Sequence, residues 1–265
     1  MYLLEVDTAT ENYFCINCGS PVTYLYKKYS ETVLKLTECK HCKNVADKYV
    51  EYDTLFVVID LILLKVSAFR HVLLNVQFKN FWKLSIILLF LETYSSWSVS
   101  AKNNPKQSEL NDTKPYLSEP DIYLEDFKFY ILFIEILICK YFKLSISSIQ
   151  TTVCFVGVIY MLTTAFTFVR RQMRIPLLKI YKMVTISSIG IFLFLPSLMW
   201  DMSVHNFHLH FVSVYITLSQ LLAYKALCNC EKGWSLLVVI LSTLVRIYIK
   251  NCLNTIKFVA SFLPD

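Results

Sequence analysis

Four cysteines near the N-terminus have the spacing of a metal site. They read Cys15-Ile16-Asn17-Cys18-Gly19 and Cys39-Lys40-His41-Cys42, a C-x2-C-x20-C-x2-C pattern. Two thiolates two residues apart on a tight turn grip one edge of an ion, and the second pair closes a tetrahedron with Zn–S distances of about 2.3 Å. Gly19 suits the knuckle, where the backbone curls so that amides reach the sulfurs. Tyr24 to Leu36 between the pairs suits a short hairpin. The pattern is that of a zinc ribbon. Four thiolates leave no open coordination position, so the implied Zn2+ is structural. It would supply most of the folding energy of a unit too small for its own core. A redox C-x-x-C would stand alone, and a two-zinc module would need eight ligands, so His41 is expected to face solvent.

Other residues carry weaker chemistry. On one continuous helix, Asp53, Asp60, Ser67, His71 and Asn75 fall within about 80° of one another. Such a stripe on the apolar segment 54–78 suggests contact with lipid headgroups, a partner or the ribbon itself, and the plainer reading is an amphipathic helix lying on the membrane surface. His205, His208 and His210 form H-x2-H-x-H, read as interfacial packing more than a metal site. Cys228 and Cys230 are too close together for a metal clamp and read as free thiols, with palmitoylation at a membrane edge as the alternative. Glu92 and Glu135 fall in apolar stretches, where acids are costly. No H-E-x-x-H, G-x-S-x-G or Gly-rich phosphate loop is present. A His71–Asp60 pair lacks a nucleophile. The expectation is a protein that is not an enzyme, with an intramembrane lipid-modifying enzyme using His71 or Glu135 as the alternative.

The elements that must position these residues follow from composition. Of 265 residues, 55% are hydrophobic and 17% charged, with mean hydropathy +0.48. Too little polar surface remains to coat a soluble globule. Residues 1–53 hold six basic and eight acidic side chains, so the net charge of +6 belongs to the apolar remainder. It reads as loop charge that orients membrane helices, and nucleic acid is excluded as a partner. Nine cysteines, an odd number and scattered, argue against a disulfide framework and for a reducing compartment. Met1 to Phe14 carries Glu5, Asp7 and Glu11 with no apolar core, so no cleavable signal is expected.

The expected order is a metal-binding unit at 1–53, an interfacial helix at 54–78 and a transmembrane region at 79–265. Segment 84–99 is a marginal span. Segments 144–169, 183–200, 202–224 and 233–249 are stronger ones, with Arg246 snorkelling from the last. Residues 100–126 read as a linker, and the charged 127–145 stretch as non-spanning or half of a long broken helix. Arg170 to Lys182 has five basic residues and no acid, which places it in the cytosol. The thiol-rich N-terminus should lie on the same side. The linker then faces the lumen with Asn111-Asp112-Thr113, the one usable N-glycosylation acceptor.

The block Cys15 to Asn75 resembles the Arv homology domain of the Arv family. The resemblance rests on Cys15, Cys18, Cys39 and Cys42, then Asp47-Lys48-Tyr49-Val50-Glu51-Tyr52-Asp53, then Ala68-Phe69-Arg70-His71 with Leu73-Leu74-Asn75. The family usually has Tyr before the Arg-His pair, where this chain has Phe69. Beyond about residue 75 the likeness is a shared layout of apolar helices. The resemblance implies residence in the endoplasmic reticulum membrane, sterol uptake, trafficking and distribution between membranes, and assistance to glycosylphosphatidylinositol anchor synthesis. Membrane lipids, sterols and anchor-synthesis enzymes would be the partners. Tyr52, Asp53, Asp60, Arg70, His71 and Asn75 are the candidate lipid or partner contacts. The expected fold class is a small zinc-ribbon N-terminal unit followed by an all-α multi-pass transmembrane bundle.

Overall fold

The computed structural model describes residues 13–30, 34–77, 80–102, 122–169, 175–199, 206–230 and 232–260. Asn111, His205 and the Arg170–Arg174 run lie outside them. The chain divides into two compact units. One comprises Met1–Phe81, Arg174–Gly190 and Ser213–Val239, the other Trp82–Met173, Ile191–Val212 and Ile240–Asp265.

The N-terminal part of the first unit is two small antiparallel hairpins. Strands β1 (Tyr13–Phe14) and β2 (Pro21–Val22) pair Tyr13 with Val22 and bracket the first cysteine pair. Strands β3 (Tyr26–Lys28) and β4 (Leu34–Leu36) pair Tyr26 with Leu36. A bridge between Glu38 and Val45 brackets the second cysteine pair. These strands are too short to hold a sheet alone, and the thiol cluster joins the β1–β2 turn to the turn closed by Glu38 and Val45. A 3-10 turn (Lys48–Glu51) follows, capped by the Asp47 side chain.

The 54–78 stretch is not the single helix expected from its pattern. Helix α1 (Thr54–Ile62) ends in a Schellman turn: Lys65 N–H donates to the Asp60 carbonyl at 3.0 Å and Leu64 N–H to the Leu61 carbonyl at 3.0 Å. Leu64 takes the left-handed position, φ 58°, where glycine is usual. A short helix α2 (Val66–Arg70) turns back and widens into a π-helical turn (His71–Asn75), with Val76 N–H donating to the His71 carbonyl at 3.1 Å. Lys182 Nζ holds the carbonyl of Val76 at 2.8 Å. Lys182 belongs to helix α5 (Leu177–Ser187).

The rest is helical, and four helical stretches among the described residues are long and apolar enough to cross a membrane: Tyr141–Val169, Leu177–Pro196, His210–Cys228 and Gly233–Leu253. Helix α3 (Phe81–Lys102) absorbs the 84–99 segment and the start of the expected linker. Helix α4 (Ile122–Val169) begins inside that linker and joins 127–145 to 144–169 without a break. No proline interrupts it, and its 48 residues reach about 72 Å. Helix α5 passes through a 3-10 stretch (Ser188–Leu193) into α6 (Phe194–Met199). Helices α7 (Asn206–Cys228) and α8 (Lys232–Ala260) complete the chain. The fold is thus a small ribbon unit followed by a mostly helical region with four candidate spans.

Within the first unit, Ile16, Phe69, Ile180, Met183, Tyr224 and Val238 are at most 2% exposed. Phe69 needs no hydrogen-bond partner in that setting, which makes a hydroxyl at this position dispensable. Within the second unit, Phe155 and Ile159 are buried. There Arg246 pairs with Glu92 and lies 5.5 Å over the Phe155 ring. Arg246 is therefore an internal partner for the α3 acid, where the sequence suggested snorkelling.

Candidate metal centre

The two cysteine knuckles are built alike. Gly19 N–H donates to the Cys15 carbonyl at 2.9 Å, and Lys43 N–H to the Cys39 carbonyl at 2.8 Å. Cys15 N–H reaches Ser20 O at 2.9 Å, and Cys39 N–H reaches Asn44 O at 2.8 Å. Gly19 (φ 78°) and Lys43 (φ 57°) both take the left-handed conformation that closes such a turn. The knuckles face each other, with Cys15 Sγ 3.7 Å from Cys42 Sγ and Cys18 Sγ 3.6 Å from Cys39 Sγ. All four sulfurs lie within 4.8 Å of one another, and none forms a disulfide.

A tetrahedron of sulfurs at 2.3 Å from its centre has edges of about 3.8 Å, so the spacing fits one metal ion. Cys15 and Cys39 are buried. Burial pushes the Cys15 thiol up to about 12. Burial also acts on Cys18, but hydrogen bonds from Ser20 and the neighbouring thiols outweigh it and bring Cys18 down to about 6. Thiolates, not thiols, bind a metal, so a cation taken up by the four sulfurs displaces their protons. Among the described residues this is the one group of three or more such side chains placed to share an ion. His41 is exposed, as its knuckle position suggests.

Beside the sulfurs the π-helical turn builds a polar clamp. Asp47 is fully buried. Its Oδ1 accepts from Tyr49 N–H at 3.0 Å, and its Oδ2 lies 2.7 Å from both His71 Nδ1 and Asn75 Nδ2. The Asn75 carboxamide also pairs both ways with Phe14, accepting its N–H at 2.9 Å and donating to its carbonyl at 2.8 Å. Asn75 thereby acts as a one-residue extension of the β1 edge. Its position four residues after His71 brings both side chains to one carboxylate.

Arg70 is 7% exposed and forms the other arm. Nη1 donates to the Ile16 and Asn17 carbonyls of the first knuckle, and Nη2 to Asn229 Oδ1 at 2.8 Å. Burial depresses the Arg70 pKa, partly offset by Cys18 and Cys15. Asn229 follows α7 in the left-handed conformation (φ 47°) and packs its carboxamide on Gly19, where a Cβ would sit 3.1 Å away.

Tyr49 organises a third cluster. Its hydroxyl donates to Asp60 Oδ2 at 2.8 Å and meets Ser67 Oγ at 3.1 Å. Its ring lies 5.2 Å from that of His71. Burial raises the Tyr49 pKa to about 12. Asp60 also holds Lys65 at 2.7 Å, and the Lys65 and Tyr49 hydrogen bonds keep its carboxyl below the usual range.

The expected stripe therefore splits. Asp60 and Ser67 meet at Tyr49, and His71 and Asn75 meet at Asp47. Asp53 caps α1 without a side-chain hydrogen bond. Of the six candidate lipid or partner contacts, Arg70, His71 and Asn75 spend their polar atoms inside the unit and Asp60 is largely covered. Tyr52 and Asp53 are exposed. Asp47, Tyr49 and Asn229 were not singled out by the sequence. Asp47 and Tyr49 stand in the family-like block, but Asn229 lies some 150 residues away with no local signal.

The profile of the Arv1-like family matches residues 14–224. The chain is 28% identical over 245 residues to Protein ARV1 of Homo sapiens, covering 90% of this chain and 81% of that one. The figures for Protein ARV1 of Bos taurus are 28% over 245 residues, with 90% and 78% covered. A shorter match to Protein ARV1 of Saccharomyces cerevisiae is 48% identical over 61 residues, 23% of this chain and 19% of that one. No solved structure matches the chain.

Proposed function

The chain belongs to the Arv1-like family, and on that premise we propose that it is a non-enzymatic membrane protein of lipid homeostasis in the endoplasmic reticulum. It would support sterol uptake, trafficking and distribution between membranes. Cys15, Cys18, Cys39 and Cys42 would hold a structural Zn2+, whose chemistry is a cross-link between the two knuckles. The ribbon would lie on the cytosolic face.

The observation that carries the reading is the docking of the ribbon onto the turn between two candidate spans. Asn229 at the end of α7 touches Gly19 and Arg70, and Lys182 near the start of the 177–196 span holds Val76. The ribbon, the start of the 177–196 span and the end of α7 then share one side; the run of basic residues that precedes that span in the sequence marks the side as cytosolic. An even number of crossings before Arg170 makes α3 the partner of the 141–169 span. Pairing with Arg246 is what would let Glu92 of α3 enter the bilayer. The non-enzymatic reading is supported by the ties on Asp60 and His71. Asp60 is held by the Tyr49 hydroxyl and Lys65, and His71 by Asp47.

The test is photo-crosslinking of a sterol probe to the purified full-length protein. Labelling that excess unlabelled sterol competes away is expected. Absence of specific labelling overturns direct sterol binding, and co-purification with anchor-synthesis enzymes in that case points to a scaffold.

A further inference from the structure

We infer that residues 54–75 form a re-entrant helical hairpin whose tip, Ile62-Leu63-Leu64, enters the acyl chains of the bilayer from the side that the ribbon faces. The inference rests on the reading that α7 and the 177–196 stretch cross the membrane.

Depth can be counted along α7. At its end, Asn229 touches the ribbon through Gly19 and Arg70. Fourteen residues earlier, about 21 Å along the helix axis, the Tyr215 hydroxyl donates to the Ile62 carbonyl at 2.6 Å. An independent count from the neighbouring span agrees. Gly190 packs on the Tyr215 ring, where a Cβ would come within 2.5 Å of Cδ1, and Gly190 is thirteen residues from Leu177, where that span begins. Tyr215 is thus well inside a hydrocarbon layer about 30 Å thick. The chain descends through α1, is fastened at Ile62, and returns through α2 so that Arg70 reaches Asn229 at the top again.

Backbone away from water must be satisfied internally, and at this tip it is. Leu63, Leu64 and Lys65 N–H donate to the Ile59, Leu61 and Asp60 carbonyls at 2.9–3.0 Å. The Ile62 carbonyl, left free by the end of the helix, is the one Tyr215 takes. The charges are matched as well: Lys65 pairs with Asp60, and its stem is long enough to lift the ammonium toward the surface.

The side chains fit the same occupant. Val57 and Leu61 face inward, while Leu55, Phe56, Val58, Ile59, Ile62 and Leu63 are all exposed. A contiguous apolar patch of this kind is costly in water. In acyl chains it costs nothing, and the Tyr215 tether puts it at the depth where acyl chains are.

The test is site-directed spin labelling of the full-length protein in phosphatidylcholine vesicles. Cys139, Cys154, Cys228, Cys230 and Cys252 are replaced by serine, and unchanged metal content shows that the ribbon is intact. Nitroxides at Leu63→Cys, at Tyr29→Cys on the ribbon and at Leu218→Cys on α7 are compared for relaxation by oxygen and by a water-soluble nickel chelate. An oxygen-to-nickel ratio at Leu63 severalfold above that at Tyr29, and close to that at Leu218, is the expected result. Nickel access at Leu63 equal to that at Tyr29 overturns the hairpin, as does low access to both reagents, which means a protein contact. Nickel access at Leu218 instead sinks the spanning reading of α7 on which the depth count depends. Ile59→Cys repeats the measurement if Leu63→Cys does not fold.

Discussion

Replacing Asp47 by Asn changes one heavy atom in the polar clamp and tests whether it holds the ribbon to the π-helical turn. In the parent, Oδ2 receives both His71 Nδ1 and Asn75 Nδ2 at 2.7 Å, while Oδ1 receives Tyr49 N–H. An amide in the same place cannot satisfy all three. With its NH2 toward Asn75 the contact becomes donor against donor, and with its NH2 toward Tyr49 N–H the cap is lost instead. His71 can relieve part of the damage by moving its proton to Nε2 and accepting at Nδ1. That leaves one charge-assisted hydrogen bond lost outright and one buried donor unpaired, together about 2–4 kcal/mol. For a unit of this size such a loss lowers the melting midpoint by about 10–30 °C.

The assay is metal release to a chromophoric chelator while the full-length protein is heated in detergent. Glu51→Gln, at an exposed position beside the same turn, should melt with the parent. Asp47→Asn should release metal far below it. If Asp47→Asn melts with the parent, the buried carboxylate is not what joins the ribbon to the π-helical turn, and the reasoning fails.

Further expectations follow from the same geometry. Cys15→Ser or Cys39→Ser should empty the ribbon and unfold it, since the metal supplies about 10–16 kcal/mol in such units. Elemental analysis finding no zinc in the intact protein refutes the metal assignment. Glu92→Leu strands Arg246 and should cost about 3–5 kcal/mol, most of it recovered by adding Arg246→Leu, read from thermal unfolding in detergent. Gly190→Ala forces a Cβ against the Tyr215 ring and should cost about 1–3 kcal/mol by the same readout. Lys65 helps hold the Asp60 carboxyl below its usual range. Its contribution should therefore be full above about pH 4, where an unfolded Asp is ionised, and fade as pH falls through the folded value. Comparing Lys65→Met with the parent across that window checks the sign.

The metal centre was legible because four ligands of one type at fixed local spacing allow few geometries. The membrane character was legible because hydrocarbon thickness sets a length that a stretch of sequence either has or lacks. The 54–78 stretch was harder. Its polar residues share a face on an ideal helix, but Leu64 leaves the helix in a left-handed turn that leucine seldom adopts. Its stability comes from three backbone hydrogen bonds and the Asp60–Lys65 pair, and no residue type announces it. The same holds for α4, where charges at Lys128, Glu135 and Lys140 suggest a boundary that backbone hydrogen bonding simply passes through. Asn229 and Arg246 find their partners across more than 150 residues, and local pattern carries no information at that range.

The connections of Arg70 give these separate features a common consequence. A metal held by the four cysteines would fix the first knuckle, and with it the Ile16 and Asn17 carbonyls that receive the Arg70 guanidinium. The same guanidinium holds Asn229, so the shape of the knuckle determines where the end of α7 sits. Arg70 is also the last residue of α2, the arm that returns from the Leu63–Leu64 tip. Loss of the metal would free the knuckle carbonyls, leave a buried cation short of acceptors, and release one side of the α1–α2 hairpin. Because an uncompensated buried charge is expensive, the hairpin and the α7 turn should loosen together with the ribbon rather than independently. A structural ion at the four cysteines would therefore govern more than the forty residues around it: it would set the footing of the α1–α2 segment that is tied to α7 through Tyr215.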